Sequence, residues 1–509
     1  MNYRFDAQMD HEGTLADEEK PVAQASAIGR KAGRGLRWAL SGTVLLKLGS
    51  FTMGLVLVRL IAPHDFGLYA VALAANAFLI HVNDMGIIAA TVQWRGRVEE
   101  MLPTGATLAL GFSVAWYAVF WLAAPELSQL AGSPEATPLV RLLTATILID
   151  GVTAIRVGVI QRGFQQDKLT KAILVGFVVN ATMAITLAVN DAGAYSFVIG
   201  QLAQWVVTGI VVICIARVPF RYGFDRAVAK RLLKFGVPLA AALGLESLLL
   251  FSDSVIVGHV LGATLLGFYL LAFNVSSWVP GIVMTAVRYV SIPSFSRLAE
   301  HQPETFALGV RRAIPIMVTV VMPIAMTMIV LAPMIIDFLY GARWLPAGEV
   351  LRFLAVVMIA RILTALAFDI LTSLGVTRAT VWLNLVWAAV LIPSLILGVQ
   401  LDGIRGASIA HAIVAALVAI PLAVVALQRC GVNLRLVVPA LVRPILGSLL
   451  AGLIMLVVSE LIEFPPPAEL FVASGAGLIA YLLLVIRPSE FAKLIRRARH
   501  HLHHGEAQV

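Results

Sequence analysis

Six of the ionisable residues inside the long apolar stretches of this 509-residue chain are candidates for function. They comprise three cations and three carboxylates: Lys47, Arg156, Arg361, Asp84, Glu246 and Asp253. A charged group within the hydrocarbon of a bilayer is costly unless it has a partner or faces a water-filled cavity. We therefore expect these side chains to bind an anionic group, to exchange a proton or cation, or to pair with one another.

The three cations differ in depth within their apolar stretches. Lys47 and Arg361 lie near the middle, too far from either end for the side chain to reach the interface easily, which favours a cavity-lining role. Arg156 lies nearer one end, six residues after Asp150. Two interpretations of Arg156 stay open: a cation for an anionic substrate, or an ion pair with Asp84 that fixes helix packing.

Two of the carboxylates, Glu246 and Asp253, are seven residues apart. In a helix that spacing places both side chains on one face, about 10 Å apart. They are predicted to pair with Lys47, to bind a proton or cation, or to do both. Asp84 is a further candidate for ion pairing, and His411 is interpreted as an interhelical hydrogen-bonding group.

The sequence contains no catalytic motif. It lacks the glycine-rich phosphate loop of an ATPase and the spacing of metal ligands. We expect a transporter, not an enzyme, with no cofactor and no metal.

The elements that carry these residues follow from composition. The chain is 60% hydrophobic and 13% charged, with a mean hydropathy of +0.90. About 14 apolar stretches, each long enough to cross a bilayer, lie between residues 38 and 486, with short turns predicted at 62–65, 261–264 and 401–403. The prediction is an all-α polytopic membrane protein, because lipid cannot satisfy open strand edges.

Lys and Arg residues alternate between the two sides of the predicted membrane. The loops and tails assigned to one side hold 30 of the 38 Lys and Arg residues, whereas those on the other side hold two, Arg343 and Arg405. Cytoplasmic loops retain such residues, so both termini are predicted in the cytoplasm. The same rule accounts for the net charge of +9, and nucleic acid is not expected as a partner.

A repeat at an offset of 200 residues divides the chain. Six identical residues, and the matching sequences of 66–69 and 266–269, recur without a gap. An even number of spans separates the copies, which predicts two parallel six-helix lobes around a central cavity, followed by two C-terminal helices. The predicted segments are a disordered cytoplasmic tail, an N-lobe, a basic linker, a C-lobe, two additional helices and a basic tail: 1–37, 38–216, 217–234, 235–428, 429–487 and 488–509.

Short motifs in a fixed order add a family resemblance. They lie at residues 59–69, 84–93, 235–239, 253–263, 293–298 and 341–347. Together, over roughly residues 30–430, the chain resembles the polysaccharide-transporter, or Wzx-type, branch of the multidrug/oligosaccharidyl-lipid/polysaccharide exporter superfamily. One departure is His259, where relatives often carry an arginine.

The resemblance implies a function in the bacterial inner membrane. It implies alternating access that flips a polyprenyl-pyrophosphate-linked oligosaccharide for exopolysaccharide, capsule or O-antigen synthesis. Lys47, Arg361 and Arg156 would then bind the pyrophosphate. The expected partners are this lipid-linked substrate and the bilayer, with polysaccharide polymerase and chain-length proteins as further candidates. The alternatives are a cation-coupled multidrug antiporter and, in another class, a membrane-embedded polysaccharide polymerase or ligase.

Overall fold

The computed structural model describes residues 42–83, 86–94, 96–301, 303–374, 376–432, 434–461 and 466–485. The side chains of 282–308 and of some other helical positions lie outside this description, Glu246 among them. Also outside it are Asp84 and the predicted tails 1–37 and 488–509.

Every regular element in the described ranges is a helix. In chain order, the α-helices are α1 (Gly42–Leu60), α2 (Pro63–Asn83), α3 (Ile87–Gln93), α4 (Val98–Leu130), α5 (Thr137–Thr144), α6 (Thr146–Arg162), α7 (Gln166–Val189), α8 (Tyr195–Ala216), α9 (Arg226–His301), α10 (Pro303–Val330), α11 (Ala332–Tyr340), α12 (Pro346–Ser373), α13 (Thr377–Val414), α14 (Ile420–Arg429), α15 (Val438–Leu461) and α16 (Pro466–Val485). Short 3-10 turns lie at Pro134–Ala136, Ala342–Trp344 and Leu434–Leu436, and a π-helical turn lies at Ala415–Ala419.

Eleven helices in the described ranges are long and apolar enough to cross a membrane. This confirms the prediction of an all-α polytopic membrane protein. The number of about 14 spans stays a prediction, because two of the long helical runs contain internal breaks.

The breaks lie at two of the predicted turns. In α9 the backbone of Gly262 has φ 79° and ψ 177°, a conformation that only glycine adopts readily. In α13 the break falls at Asp402 and Gly403. The apolar run 379–429 around this second break has 51 residues, twice the length that one crossing requires.

The chain separates into two compact units. The first unit comprises Met1–Ile61, Ala72–Ser128 and Pro134–Leu248. An apolar cluster lies where α3, α4, α6 and the start of α9 meet, around Met101 and Ile155. Two hydrogen bonds also join α2 to α6, from Thr146 to Asn76 (3.0 Å) and from Asn83 to Asp150 (2.8 Å).

The second unit comprises Ala62–Val71, Gln129–Ser133 and Leu249–Val509. In it, α10 packs against α12 and α15, and α15 packs against α16. An apolar cluster around Leu331, Met455 and Tyr481 fills the space between α10, α15 and α16. The Tyr481 hydroxyl donates a hydrogen bond to the Thr319 carbonyl oxygen at 2.7 Å, which ties α16 to α10.

Each unit contains one helix that is mostly enclosed by protein. In the span Pro134–Arg162, which includes α6, and in α12, 67% of the most apolar window is buried, against 11–50% for the other candidate spans. Arg156 lies on α6 and Arg361 on α12. The two arginines predicted to be functional are therefore carried by the most enclosed membrane helix of each unit.

Candidate functional site

The second unit contains a buried polar cluster centred on Asp253 of α9. The Tyr269 hydroxyl donates a hydrogen bond to Asp253 Oδ2 at 3.1 Å, and the Ser254 backbone N–H donates to Oδ1 at 2.8 Å. His411 of α13 places Nδ1 3.9 Å from Oδ2. The side chains of Asp253, Tyr269 and His411 are all buried. This carboxylate is therefore held by several polar groups from two helices.

Arg361 of α12 supplies the positive charge of this cluster. Its attraction to Asp253 acts at longer range, because the two side chains make neither a hydrogen bond nor an ion pair within 4 Å in the described residues. Its Nη1 donates a hydrogen bond to Ser277 Oγ at 3.3 Å, and its guanidinium carbon lies 5.1 Å from the centre of the Phe273 ring. These contacts leave part of the guanidinium's five-donor capacity for another acceptor. Arg361 is thus a partly buried cation that contacts Ser277 and Phe273 near the Asp253 carboxylate.

His411 has an unusual environment in the same cluster. It is 6% exposed, and within the described residues its Nδ1 has no hydrogen-bond partner. A buried ring nitrogen without a partner is costly, and a proton on it would attract Asp253. The sequence alone predicts His411 as an interhelical hydrogen-bonding group. Its position in an apolar span could have indicated a functional role, because ionisable groups are unusual there.

Lys47 lies on α1 in the first unit and is half-buried. Within the described residues it makes no hydrogen bond and no ion pair. On either side of it, Gly42 and Gly49 let α1 approach Thr170 and Phe177 of α7. At 100° per residue, Lys47 points away from this α7-facing side. The lysine is therefore a cation that α1 carries on the face opposite α7.

Arg156 occupies a different kind of position in the first unit. Its Nη1 donates to the Val152 carbonyl at 2.6 Å and its Nη2 to the Val218 carbonyl at 3.4 Å, while the guanidinium lies 3.9 Å from the centre of the Phe220 ring. A cavity with room for about one water molecule adjoins it. The structure thus engages Arg156 mainly with the segment that follows α8.

Two threonines of α4 hold the rest of that segment. Thr107 Oγ1 donates to the Gly223 carbonyl at 2.9 Å and accepts from the Gly223 N–H at 3.1 Å, and the Asp225 N–H donates to Thr104 Oγ1 at 2.9 Å. Asp225 Oδ1 then accepts from the N–H groups of Ala227 and Val228 at 2.7 and 3.0 Å, which caps α9. Residues 217–225, here called the inner linker, are fixed by side chains from two helices.

The structure therefore brings together Asp253 and Arg361, which the sequence treated separately. Lys47 and Arg156 lie in the first unit, on α1 and α6. Asp84 and the side chain of Glu246 lie outside the described residues. Within the described ranges, no three His, Cys, Asp or Glu side chains are grouped as they would be around a metal ion.

Comparison of the sequence with models of known protein families gives one match. The model of a family described as "Polysaccharide biosynthesis protein" matches residues 56–349, more than half of the chain. The chain belongs to this polysaccharide biosynthesis family. The match includes Asp84, Arg156, Glu246 and Asp253, whereas Lys47 and Arg361 lie beyond its two ends.

Several proteins with similar sequences have names that refer to related processes. Lipopolysaccharide biosynthesis protein WzxC of Escherichia coli is 23% identical over 75% of this chain and 77% of its own length. Succinoglycan biosynthesis transport protein ExoT of Rhizobium meliloti is 26% identical over 66% and 67%. Teichuronic acid biosynthesis protein TuaB of Bacillus subtilis is 23% identical over 91% and 98%. Sequences of this kind are thus found in proteins named for the synthesis or transport of surface polysaccharides.

Solved structures show the same fold in membrane transporters. The lipid II flippase MurJ, in an inward closed conformation, superposes with a TM-score of 0.69, over 89% of this chain and 98% of MurJ, at 14% identity. A multidrug resistance MATE transporter in an inward-facing conformation superposes with a TM-score of 0.59, over 77% and 98%, at 16% identity. At these identities the likeness establishes the fold alone.

Proposed function

We propose that this family member flips a polyprenyl-pyrophosphate-linked oligosaccharide from the inner to the outer leaflet of the bacterial inner membrane. The observation that carries the proposal is Lys47, a half-buried lysine on an apolar helix without a partner in the described residues. A cation in that position is maintained at a cost, and an anionic substrate accounts for it. Family membership and the names of the relatives support a substrate used in the synthesis of surface polysaccharides.

Recognition of the substrate follows from the two deepest cations. A pyrophosphate presents several anionic oxygens, and Lys and Arg bind such groups by charge-assisted hydrogen bonds. Lys47 and Arg361 are each proposed to engage the pyrophosphate, while the polyprenyl chain remains in lipid. Arg156 supports the site by holding the inner linker, through which α8 continues into α9.

Energy coupling is proposed at the Asp253 cluster. An ionised Asp253 attracts Arg361 and competes with the pyrophosphate for the guanidinium. A proton on Asp253, or one shared with His411, would weaken that attraction and leave Arg361 available to the substrate. Protonation and substrate binding would then favour the same state of the transporter. Glu246 and Asp84 remain candidates for the same role.

The charges of Lys47 and Arg361 also help to choose between the two candidate transport functions. A transporter of cationic drugs would need an anionic binding surface, and two deep cations oppose it. The same pair suits a substrate whose charge is negative. We therefore prefer a lipid-linked oligosaccharide over multidrug antiport, and transport over polymerase or ligase chemistry.

The direct test uses Lys47→Ala, Arg361→Ala and the double variant in cells that depend on this protein for glycan export. Each single variant should reduce export while its amount in the membrane stays near that of the wild type, and the double variant should abolish export. The matched control is Arg352→Ala, because Arg352 lies on the same helix as Arg361 but pairs with Glu349 at 3.9 Å near the surface. Wild-type export by the double variant would refute the proposal.

A further inference from the structure

A groove between α6 and α8 of the first unit has an apolar lining. It encloses about 350 Å³ and is lined by Leu148, Ile149, Val152 and Thr153 of α6 and by Val206, Gly209, Ile210 and Ile213 of α8. The Thr153 hydroxyl donates to the Ile149 carbonyl oxygen at 2.9 Å, so its hydrogen bond is made within its own helix. The groove therefore offers its occupant an apolar surface.

The groove is open on the side of α6 that faces away from α2. Asp150 bonds to Asn83 of α2 and lies on a different face of α6 from the groove. Val206 and Ile210 are 41% and 55% exposed, so the groove opens to the surroundings of the unit. Both helices belong to candidate membrane spans, where the surroundings are hydrocarbon chains.

The small cavity beside Arg156 adjoins this groove. Val152 lines both of them, and Arg156 follows Val152 by one helical turn, about 6 Å along α6. Arg156 is 3% exposed, and its Nε has no hydrogen-bond partner in the part of the chain that the structure describes. A buried N–H without an acceptor is costly. The apolar groove thus lies next to a cation that lacks one acceptor.

The inner linker presents aromatic and basic side chains at the same place. Arg221 and Tyr222 line the cavity and are exposed, and Phe220 and Phe224 are 56% and 67% exposed. Aromatic rings and arginines directly after an apolar span are typical of the interface between membrane and water. The linker therefore has the composition of a segment that lies among lipid headgroups.

We propose that α6, α8 and the inner linker bind one anionic phospholipid. One acyl chain lies in the groove, and the phosphate pairs with Arg221 at the mouth of the cavity. The cavity has room for one water molecule, which relays a hydrogen bond from Arg156 Nε to the phosphate. Because the apolar groove and the cations adjoin, a molecule with both a phosphate and a chain fits them better than a free phosphate does.

Charge favours an anionic lipid over a zwitterionic one. Among the described residues that line the groove and the cavity, Arg156 and Arg221 are charged and none is acidic. Arginine binds a phosphate through charge-assisted hydrogen bonds, and basic side chains at a membrane surface attract anionic lipids. The bound lipid would join the end of α8 to α6 and so support the linker that Arg156, Thr104 and Thr107 hold.

The test counts lipids bound to the purified protein by native mass spectrometry. Phosphatidylglycerol, which is anionic, and phosphatidylethanolamine, which is zwitterionic, are added separately in detergent. The wild type should retain one phosphatidylglycerol at a several-fold lower concentration than phosphatidylethanolamine. Arg221→Gln should remove this preference, whereas Lys230→Gln, which removes an exposed charge outside the cavity, should keep it.

A second pair of variants tests the groove. Ile210→Trp fills it from its open side and should lose the retained lipid. Val178→Trp is the matched control, because Val178 is a 62% exposed residue of α7 that does not line the groove. If Ile210→Trp does not reach the membrane, Val206→Trp decides in its place.

Each outcome supports or overturns the lipid site. Loss in Arg221→Gln and in the groove variant, with both controls like the wild type, supports it. Equal retention of the two lipids by the wild type, or unchanged retention in either test variant, overturns it. Displacement by glycerol phosphate alone would indicate a site for free phosphate, and displacement by a several-fold lower concentration of undecaprenyl phosphate would indicate a substrate site; either result overturns the assignment to a phospholipid. The measurement involves no transport, so its result is independent of the Lys47 and Arg361 test.

Discussion

The Tyr269 hydroxyl donates a hydrogen bond to Asp253 Oδ2 at 3.1 Å from the far side of the Gly262 break in α9. Without that break, residues 16 apart on one helix would lie about 24 Å apart. The break therefore turns the helix back on itself and lets one continuous element supply both the carboxylate and its donor. This hydrogen bond therefore links the charge of Asp253 to the bend of α9 at Gly262.

The first prediction separates the charge of Asp253 from its hydrogen bond. Asp253→Asn keeps the side-chain shape but cannot exchange a proton, so flipping in reconstituted vesicles should no longer respond to an imposed proton gradient. Tyr269→Phe removes only the donated bond and should keep that response at a lower overall rate. Tyr481→Phe is the control, because its hydroxyl bonds to Thr319 on α10 and not to the cluster. A gradient response of Asp253→Asn equal to that of the wild type would exclude Asp253 as the coupling group.

The second prediction concerns topology. Labelling from outside intact cells should modify Glu135→Cys and Ala468→Cys but not Glu99→Cys or Ala227→Cys. Ser133, a position that loop assignment alone would select, is buried and is unsuitable as a simple reporter. Reaction of Glu99→Cys from outside would place the start of α4 on the wrong side and would overturn the predicted orientation. Permeabilised cells, in which all four sites should react, supply the control.

The sequence predicted the helical fold because hydropathy and loop charge act locally. An apolar run long enough to cross a bilayer has few alternatives to a helix, and the breaks at Gly262 and Asp402 follow from residues that suit turns. The repeat marked Gly67 and Gly267 as equivalent. The repeat did not show that the backbones of these two glycines approach each other, because contacts between distant segments depend on packing that cannot be deduced from one sequence.

The candidate site was predicted only as a set of residue types. Depth in an apolar stretch identified Lys47, Arg361, Arg156 and Asp253 as unusual, but it gave no partners. The association of Arg361 with Asp253 and the binding of Arg156 to two backbone carbonyls depend on which helix faces are adjacent. His411 is also unusual as an ionisable group in an apolar span, but its proximity to Asp253 is evident only from the packing of α13 against α9.

The third prediction concerns the inner linker. Thr107→Val removes both hydrogen bonds to Gly223, each worth about 1 kcal/mol, and Arg156→Lys removes the planar group that bridges two carbonyls and stacks on Phe220. Trypsin added to inside-out vesicles should then cleave after Arg221 faster than in the wild type. Thr52→Val is the control, because Thr52 bonds only to the Leu48 carbonyl of its own helix. Unchanged cleavage in both variants would show that the linker is held by other contacts.

The last prediction uses the difference between stability and function at Lys47. A residue kept for substrate binding at a cost to the fold should be removable without loss of stability, because natural proteins trade stability for function at such positions. Lys47→Leu replaces the cation with a side chain that favours both the helix and the bilayer, where the two residues differ by about 3 kcal/mol at mid-depth. Its melting temperature in detergent should equal or exceed that of the wild type, while export is lost. Lys47→Arg should keep part of the export, because it retains the charge on α1. If Lys47→Leu instead melts several degrees lower, the lysine has a structural partner, and the binding role assigned to it fails.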